Sequence, residues 1–252
     1  MLASFESHAH AYLRAAAGHR AVRTGPFTLR IDPHDAGFFL NYAIPDDGAE
    51  PTGDQVRRLV EAFTGRARTP RLEYLPTAAP RVEDALAASG FTVERQLPIL
   101  TCDPADVPVP QTAAPIEIML AETDAQLRKV AQAQGEAYGQ PVTAEHDVAR
   151  LRSGLNRGGL VALALDTVTG QGVGGGQVGP PHGGVSELAA IGVRAAYRRR
   201  GIASALAAAL TRACPNAGIT TPFLMPENND SERIYQRLGY RRVSEILHIS
   251  LR

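Results

Sequence analysis

The stretch Val193-Arg-Ala-Ala-Tyr-Arg198-Arg199-Arg200-Gly201-Ile202-Ala203-Ser204-Ala-Leu206 sets three arginines just ahead of a glycine at which a helix can begin. That composition suits an anion cradle. The first N–H groups of a helix carry positive partial charge and lack intrahelical partners. Gly201 and Ala203 carry almost no side chain, so a phosphate could come close to their backbone. The arginines add formal charge. A solvated basic turn ahead of an ordinary helix has the same composition, and this stretch alone does not separate the two.

Other chemistry-bearing signals fall away on inspection. Gly170-Gln-Gly172-Val-Gly174-Gly175 fits the dinucleotide pattern GxGxxG in letters only. A true fingerprint opens a helix, and here turn material follows; the glycines better suit a bulged strand. His8 and His10 sit two apart and cannot share a helix face. His34, His146, His182 and His248 have no companions at ligand spacing, so no metal is expected. Ser186 and Ser204 lack the nucleophile-elbow context. Cys102 and Cys214 form no zinc or redox spacing and read as reduced thiols. The arginine triplet has no interleaved aromatics, so nucleic acid is not expected.

Several elements would position the basic stretch. Residues 116–120 (IEIML) read as a strand. Thr123 and Gln126 make a capping box that opens a helix reaching about Tyr138. A second helix covers about 144–155. Strands follow at 161–165, 172–178 and 185–193, the last two joined by the turn Pro180–Gly184. Then come a helix at about 201–213, a strand at 219–225, a helix at 229–237 and a strand at 240–251. The order βααβββαβαβ predicts an α/β domain with a mixed sheet. Ahead of it, the proline-rich residues 104–115 read as a linker.

The chain also resembles itself at an offset of 149 residues. LEYLPTAAPRVEDALAASGF (72–91) overlies TPFLMPENNDSERIYQRLGY (221–240), and Gly90-Phe91 lands on Gly239-Tyr240. AGFFLNYAI (36–44) overlies VSELAAIGV (185–193), and a helix at about 54–63, capped by Thr52 and Gln55, overlies 203–212. Residues 1–103 therefore read as a first domain and 116–252 as a second.

The basic stretch resembles motif A of the GNAT N-acetyltransferase superfamily through Arg198, Gly201 and Ala203. Asn228, Tyr235, Leu238 and Gly239 resemble its motif B, with Ser231, Ile234 and Tyr240 as mild departures. The resemblance covers about 116–252 and implies a GNAT acyltransferase fold there, with acetyl-CoA as cosubstrate and an amine as acceptor. It implies that Arg198, Arg199, Arg200, Gly201, Ile202, Ala203 and Ser204 face the pyrophosphate, and that Asn228 belongs to the cofactor site. Backbone amides around Ile191 and Val193 would hold the pantetheine and the acetyl carbonyl. Tyr235 matches the family's general acid, and Glu187 stands where some members place a catalytic base. Strand alternation would set Glu187, Ala189, Ile191 and Val193 on one face. A carboxylate that orients a cationic substrate is the other reading of Glu187.

In the first half these parts are lost. Phe38 overlies Glu187, Leu86 overlies Tyr235, and Thr52 and Asp54 overlie Gly201 and Ala203. Asp46, Asp47 and Glu50 populate the matching loop and would repel a pyrophosphate. The first half thus reads as a truncated, degenerate GNAT-like domain without cofactor. Each half ends in one long strand where many family members have a hairpin, so sheet completion is expected from the other half or from another subunit. A homodimer agrees with the resemblance.

Composition narrows the class. Basic and acidic residues balance at 26 each, which argues against a general nucleic-acid or membrane-surface binder. The lone lysine, Lys129, among so many arginines points to a GC-rich, bacterial coding bias. No run of about 18 apolar residues marks a transmembrane helix, and the first residues do not read as a signal peptide, so a cytoplasmic protein is expected. Two alternatives to acetyl transfer stand: a non-catalytic acyl-CoA sensor or interaction protein, and a transferase for a bulkier acyl-CoA.

Overall fold

The computed structural model describes residues 2–18, 21–109, 115–140 and 144–252. They divide into two compact units: Met1–Ile99 with Val243–Arg252, and Leu100–Arg242.

The first unit opens with helix α1 (Leu2–Ala16) and the antiparallel hairpin β1 (Val22–Thr24) and β2 (Phe27–Arg30). Next come β3 (Tyr42–Pro45), α2 (Gly53–Thr64), β4 (Arg71–Tyr74), α3 (Val82–Ala87) and β5 (Thr92–Thr101). The expected capping box at Thr52 and Gln55 starts α2, with both reciprocal bonds present. Val56, Leu59 and Phe63 recur at helical spacing and are fully buried. Of the strand expected over 36–44, only its end is extended. Phe38–Leu40 form a 3₁₀ turn, and β3 starts at Tyr42. Phe38, the counterpart of Glu187, therefore lies off the strand. Asn41 explains the turn: its side-chain amide donates to the carbonyls of Asp35 and Gly37 at 2.8 Å each, and its carbonyl accepts from Asp32 N.

The second unit contains β6 (Ile116–Leu120), α4 (Asp124–Ala137), α5 (Glu145–Asn156), β7 (Leu160–Asp166), β8 (Gly172–Val178), β9 (Val185–Val193), α6 (Ile202–Ala213), β10 (Thr221–Leu224) and α7 (Asn229–Arg237). Strands β6 to β9 form an antiparallel meander, β9 and β10 pair in parallel, and Leu100 and Thr101 pair with β10 in antiparallel. One core lies between this sheet and α6, through Leu206, Ala207 and Leu210; a second lies under α4 and α5. The glycines of β8 serve this close packing. A Cβ at Gly175 would stand 2.7 Å from Val130 on α4, and one at Gly176 would run into Ile191.

The boundaries differ from the sequence division in an informative way. The strand β11 (Arg241–Ser250) follows α7, yet Val243–Arg252 belong to the first unit. There β11 pairs in antiparallel with β4, His248 opposite Glu73, and its other neighbour is β5. The single long strand thus completes a sheet in the other half of the chain. The described part of the expected linker is not free either. Asp103 caps a 3₁₀ turn at Pro104–Asp106, and Val107 is buried in the second unit's core. Residues 110–114 of that linker lie outside the described residues.

The repeat is visible in the elements. Helices α2 and α6 begin and end 149 residues apart, as do β5 and β11. Gly90 and Gly239 share a left-handed backbone, φ +88° and +94°.

Candidate functional site

Strands β9 and β10 pair only from Val185/Thr221 to Glu187/Phe223, after which β9 runs on for six residues. Both strands lead into helices, β9 into α6 and β10 into α7, so both helix N-termini lie past the carboxyl ends of two parallel strands. Ligands of open α/β sheets favour such places.

The N-terminus of α6 is built to stay open. Helices α2, α4 and α7 are each closed by a side chain, from Thr52, Thr123 and Asn228. Helix α6 instead starts at Gly201, in a left-handed conformation (φ +77°, ψ −1°), with no side-chain cap. The N–H groups of Ile202, Ala203 and Ser204 are the orphan donors of that first turn. The matching helix of the first half is closed by Thr52, and its loop is acidic: Asp46 pairs with Arg23, and Asp47 with Arg14. The two halves thus differ at the feature a phosphate would use.

The arginines divide their work. Arg198 turns back onto the chain, its Nε donating to the Val193 carbonyl at 3.1 Å and its Nη2 to that of Ala137 at 3.3 Å. Arg200 donates to the Ala196 carbonyl and lies over the Tyr197 ring. Tyr197 in turn donates to Asp166 at 2.9 Å. Arg198 and Arg200 therefore shape the loop. Arg199 adopts φ +65°, which fits a tight turn and costs a residue with a Cβ about 1–2 kcal/mol.

Strand β9 departs from the expected alternation. Its register on β8 shifts between Gly175 and Gln177, and Ala190 adopts φ +55°. This is a bulge, with two β9 residues opposite one of β8. It reverses the faces beyond it. Leu188, Ile191 and Val193 all pack with the core under α6, while Gly192 faces α4. Glu187 does not share a face with Ile191 and Val193. It is half-buried, beside Phe223 in the parallel register.

The bulge brings forward residues that the sequence did not single out. Gln134 Nε2 donates to the Ala190 carbonyl at 2.8 Å, and the Tyr138 hydroxyl to the Ile191 carbonyl at 3.1 Å. Arg194 pairs with Glu136 at 3.0 Å. The last turn of α4 is thus fastened to β9 and its following loop. Desolvation of its hydroxyl and the charge of Glu227 push the Tyr138 pKa up to about 12.

Tyr235 sits on α7, half-buried against the core and edge-on to Tyr240 at 6.1 Å between ring centroids. Burial, with Tyr138 nearby, pushes its phenol pKa upward. Among the described residues its hydroxyl has no hydrogen-bond partner. Asn228 is first of all a helix cap, its Oδ1 accepting from Ser231 N at 2.9 Å. Among the described residues, no group of three or more His, Cys, Asp or Glu could hold a metal ion. No described helix is long and apolar enough to cross a membrane.

Comparison with known proteins agrees with this architecture. The family model for the Acetyltransferase (GNAT) family matches residues 127–240. No curated protein sequence matches the chain. Among solved structures, a GCN5-related N-acetyltransferase from Kribbella flavida is similar over 97% of this chain and 95% of its own, at TM-score 0.77 and 22% identity. A GCN5-related N-acetyltransferase from Sphaerobacter thermophilus covers 90% of this chain and 77% of its own, at TM-score 0.65 and 18% identity. A tandem GNAT protein from the clavulanic acid biosynthesis pathway covers 91% and 81%, at TM-score 0.63 and 15% identity. These likenesses establish the fold of the chain.

Proposed function

We propose that this chain, an acyltransferase whose residues 127–240 form a domain of the acetyltransferase (GNAT) family, carries an acetyl group from acetyl-CoA to a primary amine by direct attack. The observation that carries this reading is the uncapped start of α6 at Gly201, past the carboxyl end of β9, set against the self-capped start of α2 in the first half.

Acetyl-CoA supplies an activated thioester. The N–H groups of Ile202, Ala203 and Ser204, with the Arg199 side chain, would take its pyrophosphate. Arg198 and Arg200 keep the loop in shape for it. Backbone amides of β9 around Ile191 and Val193 would hold the pantetheine arm and draw charge onto the acyl oxygen. Asn228, which caps α7, would stand at the cosubstrate site in this reading. Glu187 would accept a proton from the incoming ammonium, directly or through water. Tyr235 keeps its proton at working pH and would deliver it to the departing thiolate.

The test is thermal stability with and without acetyl-CoA, in the native sequence and in Gly201→Glu. Ligand at 100 times its dissociation constant stabilises by about 2.7 kcal/mol, a rise of roughly 5–10 °C at this chain length. The rise is expected in the native protein and absent from a variant that still melts cooperatively. No rise in the folded native protein would refute the reading.

A further inference from the structure

The β9 bulge has a backbone order that an ordinary strand lacks. In a regular strand, successive carbonyls point to opposite edges. Here the carbonyls of the consecutive residues Ala190 and Ile191 both reach α4, one to Gln134 and the next to Tyr138. A trans peptide sets its N–H opposite its C=O. The N–H of Ile191 therefore points away from α4, whereas that of Gly192 is turned to β8: Arg194 N donates to the Val173 carbonyl, and Gly192, two residues back, faces Gly175 in the bonded phase of the ladder. A donor that the bulge displaces from the regular ladder suits an acyl oxygen on which charge develops.

The bulge is maintained from outside the strand. Ala190 holds a left-handed φ of +55° without being glycine, a conformation that persists only where neighbours enforce it. Gln134 and Tyr138 are four residues apart, on one face of α4 and its end. Gly192 lets that face come close: a Cβ there would stand 3.1 Å from Ala137 Cβ and 3.4 Å from Tyr138 Cε2. Tyr138 as a residue is 55% exposed and belongs to neither core cluster of the second unit. Its raised pKa keeps the phenol a donor throughout the working range.

We propose that Gln134 and Tyr138 are positioning residues, which act through the Ala190 and Ile191 carbonyls to hold the β9 bulge in the shape that grips the acyl group. The inference rests on the acetyl-transfer reading and adds to it two side chains that never touch the reacting atoms. They tune recognition of the thioester carbonyl, while the pyrophosphate end of the cosubstrate is left to α6.

The experiment compares CoA, which lacks the acyl group, with acetyl-CoA carrying ¹³C at the carbonyl. Dissociation constants are measured for both on the full chain, and the thioester carbonyl stretch is followed by isotope-edited infrared spectroscopy. Native protein is expected to shift the bound carbonyl to lower frequency and to prefer acetyl-CoA. Tyr138→Phe and Gln134→Leu each remove one hydrogen bond. Each should move the stretch back toward its free value and cut the preference about five- to tenfold, with CoA affinity unchanged. The double variant should lose less than the product of the single effects, because both act on one bulge. A native-like carbonyl frequency in both single variants overturns the proposal. So does an equal loss of CoA and acetyl-CoA affinity, which would mark a merely structural role. If native protein binds neither compound, the acetyl-transfer reading itself fails, and the proposal with it.

Discussion

Replacing His248 with glutamine should flatten the acid side of the stability profile. His248 lies on β11 at 4% exposure, opposite Glu73. Its Nδ1 accepts from Arg71 Nη2 at 2.9 Å and from Arg95 Nε at 3.3 Å. Glu94, which Arg71 also holds, is the counter-charge that favours protonation. Burial, then Arg71 and Arg95, push the imidazole down to about 3 from its usual 6.5. A lowered histidine pKa means that the folded state binds the proton less readily than the unfolded chain. The stabilising contribution is complete above about pH 6.5 and drains away as the pH falls toward 3. Between pH 8 and pH 5 the loss comes to about 2 kcal/mol, or roughly 4–8 °C in melting temperature at this length. Carboxylates held below their usual range, such as Asp46 and Glu232, give up their contribution mainly below pH 5. Glu73, buried opposite His248, is held above its usual range by desolvation and works in the opposite sense as the pH falls, so the difference between variant and native protein, rather than the native slope, reports His248. His10 is also buried and lowered, so the native protein loses stability through both. Glutamine at 248 keeps an acceptor for the two guanidiniums and cannot titrate. Melting curves at pH 8 and pH 5 should show His248→Gln losing several degrees less than the native protein. Equal losses would refute the account of His248 as a buried neutral acceptor.

The catalytic assignments make two further predictions. Tyr235→Phe should lower turnover by roughly a hundredfold with acetyl-CoA affinity kept; equal losses in both would remove the phenol as acid. Glu187→Gln should abolish the acidic limb of the pH–rate profile, and an unchanged limb would leave Glu187 as an orienting charge only.

Much of the second unit could be read in the letters because its signals are local. The capping boxes at Thr123 and Thr52, and Gly201 and Gly239 at helix ends, act within one turn of chain, and the elements begin where they say. The repeat was legible because α2 and α6 kept their lengths while their sequences parted. What escaped was of two kinds: a bulge held by contacts distant in sequence, and asparagine side chains that close turns of their own. Alternation placed Ile191 and Val193 with Glu187, but the bulge at Ala190 is enforced by Gln134 and Tyr138, more than fifty residues earlier. Asn228 matched a cofactor motif, yet its side chain first closes α7. The 3₁₀ turn at Phe38 follows from Asn41, whose amide competes with strand pairing.

The placement of β11 has a consequence for synthesis. Translation delivers every strand of the first unit's sheet but one within the first 101 residues, then makes the whole of the second unit before residues 243–252 appear. Until they emerge, β4 waits beside a gap, its edge open to stray pairing. A premature stop codon just before residue 243 would therefore spare every residue assigned to acetyl transfer and cripple the half of the protein that was made first. A nonsense allele of that kind would present as aggregation, and its damage would lie at the opposite end of the message from the lesion.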